Sequence, residues 1–148
     1  MNKVFDIVNY SKKIIRKDEI KKFEIASYHY ETTNKITVKI PLKFINKLAL
    51  AMSKAGAGIV GNYEMCSFRL NGTGTFKPSS ISNPFIGNKD KINFVEEVKM
   101  EMRCEDDKID NVVGAIYKNH PYEEPDYDIQ QIKFRSKKAE SVIIMLKK

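Results

Sequence analysis

From Lys35 onward the apolar residues switch period in a fixed order, and that order leaves few folds open to the chain. In Lys35-Ile-Thr-Val-Lys-Ile40 the apolar Ile36, Val38 and Ile40 alternate with polar residues, the mark of a strand with one buried face. Pro41 ends it and suits the first turn of a helix, whose stripe is Phe44, Ile45, Leu48, Ala49, Met52 and Ala55, closing at Gly56. Cys66, Phe68 and Leu70 then alternate with Met65, Ser67 and Arg69. Asn71-Gly72 gives a turn signal before Thr73-Gly-Thr-Phe76, so a bent strand or small hairpin is expected there. Residues 91–103 place Ile92, Phe94, Val98, Met100 and Met102 on a long strand, with a bulge expected near Glu96-Glu97. Glu105, Asp106 and Asp107 open a second helix and complement its dipole, with Ile109, Val112, Val113, Ile116 and Tyr117 facing inward. His120-Pro121 ends that helix, and residues 128–134 and 142–146 read as further strands.

Strand, helix, strand, strand, helix, strand is the split pattern of an α+β, ferredoxin-like βαββαβ sandwich. Right-handed crossovers put both helices on one face of its sheet. Ahead of it, Val4, Ile7, Val8, Ile14 and Ile15 suit one face of a short helix over residues 4–16. Phe23, Ile25, Tyr28 and Tyr30 suggest an extra strand, which Thr33-Asn34 would turn into the next. At 148 residues the chain reads as a single domain: an N-terminal extension over residues 1–34, a core over 35–134 and an extra C-terminal strand over 135–148. Pro78-Ser-Ser-Ile-Ser-Asn-Pro84 reads as a loop within that core, not a linker.

No apolar run approaches the roughly 20 residues of a membrane helix, and the N-terminus is broken by Asp6 and Asn9 without a cleavage site. A cytoplasmic location is expected. Cys66 and Cys104 form no Cys-x-x-Cys site, and buried free thiols are the simpler account, although the expected strand register brings the two near each other. The net charge of +7 is uneven: residues 1–40 carry +4, residues 41–128 carry −2 and residues 129–148 carry +5. Basic ends can steer toward phosphate, but these lysines are interspersed with acids and lack stacked aromatics, so nucleic acid is disfavoured and a solvated lysine surface preferred.

Three motif clusters stand out. They are Ala55-Gly-Ala-Gly58 with Gly61-Asn-Tyr63, Gly72-Thr-Gly74-Thr-Phe76 with Asn83-Pro-Phe-Ile-Gly87, and His120-Pro-Tyr-Glu-Glu-Pro-Asp-Tyr-Asp128. At these residues, over about 35 to 129, the chain resembles the insert domain of the Nif-three-like proteins, the dinuclear-metal family also called GTP cyclohydrolase type 2-like. The His-Pro-Tyr element is also similar to that of CutA. The resemblance implies a PII/CutA-like variant of the fold, assembled as a homotrimer with conserved loops near subunit clefts. It does not imply the family's metal chemistry. The halves that bind metal flank the insert, and the flanks here, about 35 and 20 residues, are expected to be too short for them. A dinuclear site also needs clustered His and carboxylate ligands, whereas His29 and His120 are the only histidines.

The candidate ligand-binding residues are therefore Gly61, Asn62, Tyr63, Gly72, Gly74, Phe76, Glu97, His120, Tyr122, Glu123, Glu124 and Asp126. The glycines would let backbone amides approach an anion, but no phosphate-loop string accompanies them and turn geometry is the simpler account. A helix C-terminus disfavours the acids at 123, 124, 126 and 128 while favouring a charged His120, so the carboxylates should have other partners. Lysines or arginines of a neighbouring subunit are preferred. A weakly bound divalent metal on His120, Glu123 and Glu124 is the alternative. Tyr63, Phe68, Phe76, Phe85 and Tyr122 suit a pocket wall or plain core packing equally. No nucleophile elbow or Ser-His-Asp order is visible, so no catalytic residue is assigned. The reading is a stand-alone trimeric ligand-binding or regulatory module without a resident cofactor, its ligand an unidentified small molecule or protein. The alternatives are a metal handler or enzyme using His120, and a structural module whose basic ends dock an acidic partner.

Overall fold

The computed structural model describes residues 6–147, which fall into two compact units. Residues 33–132 form a sandwich unit. The flanking residues, up to 32 and from 133, form a ribbon unit. Two long strands, β1 (Ile20–Pro41) and β4 (Tyr127–Leu146), contribute to both.

In the sandwich unit, β1 is followed by a 3₁₀ turn, α2 (Ile45–Lys54), β2 (Phe68–Phe76), β3 (Asn93–Cys104), a second 3₁₀ turn, α3 (Ile109–Asn119) and β4; α1 (Ile7–Ile14) belongs to the ribbon unit. The sheet order is β2-β3-β1-β4. β3 runs antiparallel to β1, from Asn34 opposite Cys104 to Pro41 opposite Glu97, and antiparallel to β2, from Phe68 opposite Glu101 to Phe76 opposite Asn93. The alternation read at 36–40 is met by Val98, Met100 and Met102 on β3. These six side chains pack with Leu48 and Met52 of α2 and Val112 and Ile116 of α3, all essentially inaccessible to solvent. Burial of each such aliphatic side chain contributes about 1.5–3 kcal/mol. Odd-numbered β3 residues, among them Glu97, Lys99 and Glu101, project from the opposite face, where Phe68 is 61% exposed. Gly56 closes α2 in the left-handed conformation, φ +112°, with its amide donating to Ser53.

Several local expectations give way to the pairing. Thr33 and Asn34 make no turn: β1 runs straight through them. Their side chains are instead used where β3 ends, the Thr33 hydroxyl donating to the Cys104 carbonyl at 3.1 Å and the Asn34 amide donating to the Asp106 carboxylate. The strand expected ahead of them is thus the outer length of β1, just as residues 135–146 continue β4 rather than adding a strand. Asn71-Gly72 likewise stays within an unbroken β2, and Glu96-Glu97 pairs one for one with Thr73 and Gly72, without a bulge. The two cysteines do not pair. The backbone of Gly58 lies between their segments, its amide donating to Arg103 at 2.7 Å and its carbonyl accepting from Cys66 at 2.9 Å, and both thiols are free.

The ribbon unit begins with α1 (Ile7–Ile14), capped by Asp6, whose carboxylate accepts from the Asn9 amide at 3.1 Å. Val4, expected on this helix, lies outside the described residues, and Ile14 is 62% exposed. The outer lengths of β1 and β4 run antiparallel, tied by the Ser27 and Ser141 hydroxyls at 2.6 Å and by the Lys147 amide donating to the Glu19 carbonyl at 2.9 Å. Among the described residues no helix is long and apolar enough to cross a membrane.

Candidate functional site

At the end of the sheet where β1 and β2 finish and β3 and β4 begin lies a cavity of about 530 Å³. Residues 73–78 form one wall, the loop at 82–86 a second, and Lys39, Glu97 and residues 122–126 the third. The Pro/Ser-rich loop is held by its backbone. The Asp90 amide donates to the Pro78 carbonyl at 2.9 Å, and Asn93 bonds to the Asn88 amide and carbonyl and the Lys91 carbonyl at 2.8–2.9 Å. Phe85 in that loop meets Phe44 edge-on, ring centroids 5.7 Å apart.

Glu97 sits at the centre. Its register opposite Gly72 aims the side chain across β2, and Gly74 makes the room: a Cβ there would overlap the Glu97 carboxylate. That is why the glycine stands in mid-strand, where sequence alone suggests a turn. The Tyr122 hydroxyl donates to Glu97 Oε1 at 2.8 Å. Burial, followed by this bond to a carboxylate, pushes the phenol pKa above its ordinary value, so Tyr122 remains a donor.

His120 holds Tyr122 in place. Its Nδ1 accepts from the Tyr122 amide at 3.1 Å, which leaves the ring proton on Nε2 to be donated to the Lys39 carbonyl at 2.8 Å. The ring is 8% exposed, and burial drives its pKa below the usual value. The charged His120 expected at the helix end is therefore a neutral one, and with both nitrogens engaged it has no lone pair to offer a metal. Among the described residues no three His, Cys, Asp or Glu side chains converge on a metal position.

Two acids of the run find partners within the chain. Glu123 Oε1 accepts from the Asn83 amide at 3.1 Å, pinning the 82–86 loop, and Asp126 pairs with Lys39 Nζ at 2.5 Å. The hydrogen bond to Asp126 is the main cause that raises the Lys39 pKa.

Of the residues singled out in the sequence, Gly74, Phe76, Glu97, Tyr122, Glu123, Glu124 and Asp126 line this cavity. Gly72 faces Glu97 in register without lining it, and His120 stands behind Tyr122. Gly61, Asn62 and Tyr63 do not join them. They form a tight turn closed by the Val60–Tyr63 bridge, with Tyr63 74% exposed. Thr73 and Thr75, within the Gly72–Phe76 run, and Phe85, named among the pocket aromatics, line it as well; missed were Lys39, Lys77, Pro78, Ser82, Pro84 and Ile86. A second cavity of about 300 Å³ is lined by Lys35, Val60, Cys66, Phe68, Glu101 and neighbours. There Lys99 bonds to Glu101 at 3.0 Å, the chief cause that lowers the Glu101 pKa.

No protein-family model matches the chain. A curated relative from Halalkalibacterium halodurans, a GTP cyclohydrolase 1 type 2 homologue, is 44% identical over 99 residues, covering 67% of this chain and 27% of the relative. The chain thus spans about a quarter of that relative's length. A Bacillus cereus protein related to NIF3 superposes with a TM-score of 0.59 at 30% identity, over 84% of this chain and 31% of that one. CutA from Synechococcus elongatus superposes with a TM-score of 0.52 over 77% of this chain and 86% of CutA, a likeness of fold alone at 13% identity. The chain is thereby a relative of the Nif3-like proteins named GTP cyclohydrolase 1 type 2 homologues, matching them over one segment of CutA-like fold.

Proposed function

We propose that the protein is a small ligand-binding or regulatory module of the cytoplasm, assembled as a homotrimer, whose ligand enters the cleft around Glu97. The observation that carries the reading is the cavity itself. It joins an apolar wall of Phe76, Pro84, Phe85 and Ile86 to a few oriented polar groups, Glu97 and Tyr122 foremost, the composition expected of a small-molecule site. The trimer is what the PII/CutA-like resemblance implies. It is supported by the edge position of β2, whose Phe68 and Leu70 are 61% and 48% exposed and offer an unpaired strand to a neighbour.

The geometry favours this reading over a metal centre, since His120 spends both nitrogens on backbone groups. Cyclohydrolase chemistry, which the relatives' name carries, is not transferred to a chain that matches only 27% of such a relative.

Native mass spectrometry of the purified protein reads subunit number and retained small molecules together. The expected result is a trimer with a reproducible adduct that is lost in Glu97→Ala and in Phe85→Ala. A monomer, or an adduct indifferent to both substitutions, would overturn the assignment.

A further inference from the structure

The ribbon unit carries a surface that the cleft does not use. All of the net charge lies outside residues 33–132, which hold 13 basic and 13 acidic side chains; the remainder hold 13 against 6. Lys12, Lys13, Lys17, Lys21, Lys137 and Lys138 are all exposed, with no ion-pair partner among the described residues. On one face of the ribbon, Arg135 lies over the Tyr28 ring at 4.1 Å and Lys133 over the Tyr30 ring at 5.0 Å. Stacking occupies the flat face of a guanidinium and leaves its N–H edge for a planar, bidentate acceptor.

The same unit exposes apolar groups. Ile25, Ile143, Met145 and Leu146 are 41%, 52%, 47% and 54% exposed, and a two-stranded ribbon is marginal when its side chains stay wet. A second copy of this surface would set like charge against like, so self-association is opposed here. A phosphate backbone would satisfy the lysines and offer nothing to Ile143 or Leu146.

We infer that the ribbon docks an acidic protein segment, with Asp or Glu carboxylates on Arg135 and the unpaired lysines and apolar side chains interleaved against the exposed Ile, Met and Leu. Binding is steered by charge and falls with salt.

The full chain would be titrated by fluorescence anisotropy with three probes of equal net charge: a peptide of alternating Glu and Leu, a poly-Glu peptide and a short DNA duplex. Vesicles containing phosphatidylserine are scored by sedimentation. The Glu/Leu peptide is expected to bind at least tenfold tighter than poly-Glu and the duplex, to weaken at least tenfold between 50 and 300 mM salt, and to be lost in the surface variant K137E/K138E with the thermal midpoint unchanged. Arg135→Lys should keep the charge and still weaken binding severalfold. Tighter binding to the duplex or the vesicles, equal binding to both peptides, or no binding to any probe would each overturn the inference.

Discussion

The two units divide folding labour unequally. Of 15 buried apolar side chains, 14 lie in the sandwich unit, and the ribbon unit contributes only Ala139 among the described residues. Charge is divided the other way, with the sandwich unit neutral and the whole surplus on the ribbon. Regular hydrogen bonding is common to both, so the difference shows that a ladder of backbone bonds alone does not make a core. The sandwich unit is stable because two helices cover one face of its sheet; the ribbon has the ladder without that cover.

The sharpest way to break this comparison is to delete equivalent bulk in both units. Met100→Ala should destabilise the protein by about 2–5 kcal/mol and Ile143→Ala by less than about 1, read from urea midpoints. Equal losses would mean the ribbon has a core of its own. Hydrogen exchange within the single strand β1 makes the same contrast without mutation: amides at 36–40 should exchange at least about a thousandfold more slowly than those at 21–31.

Gly74→Val comes next, at about 1–3 kcal/mol, because its side chain meets the Glu97 carboxylate. Glu97→Ala in the same chain should restore most of the loss, and failure to do so would place the strain elsewhere. His120→Ala should cost about as much, since it strands the Lys39 carbonyl and the Tyr122 amide. Here the pH dependence is diagnostic. Burial lowers the folded His120 pKa below the usual 6.5, so the unfolded chain takes up a proton first. This histidine's contribution is complete above that value and declines as pH falls through the folded one, a slope that His120→Ala should remove. The smallest effect belongs to Lys39→Met, below about 1 kcal/mol, because the pair it breaks with Asp126 is exposed to solvent.

The sandwich unit was legible in the sequence because burial writes itself into the period: Ile36, Val38 and Ile40 lie opposite Met102, Met100 and Val98 as their alternation requires. Turn signals carried less. Thr33-Asn34 and Asn71-Gly72 have turn chemistry, but a neighbouring strand decides whether it is used, and that neighbour lies some 70 residues away for the first and 25 to 27 for the second. The cleft was legible where a motif and a strand register coincide, at Gly74, Glu97 and Tyr122. Gly61 to Tyr63 were grouped with it because glycine runs alone do not say at which end of a sheet they fall. Lys39 escaped notice as an ordinary polar member of an alternating strand. The loop at 82–86 is legible as a Pro/Ser-rich loop and Phe85 as a pocket aromatic, but the bonds that make a wall of it, such as the Asn83 amide to Glu123, leave no pattern in the sequence.

The stitch that Gly58 makes between Arg103 and Cys66 bears on how the protein can be handled. Cys104 is 2% exposed and its thiol is pushed up to about 11 by burial, then by the acids that follow it. At pH 8 only about one part in a thousand is the reactive thiolate. Cys66 is half-buried on the wall of the second cavity. A maleimide dye should therefore attach at one position, giving a singly labelled molecule without engineering, with its reporter in the sandwich unit beside Phe68 and Glu101.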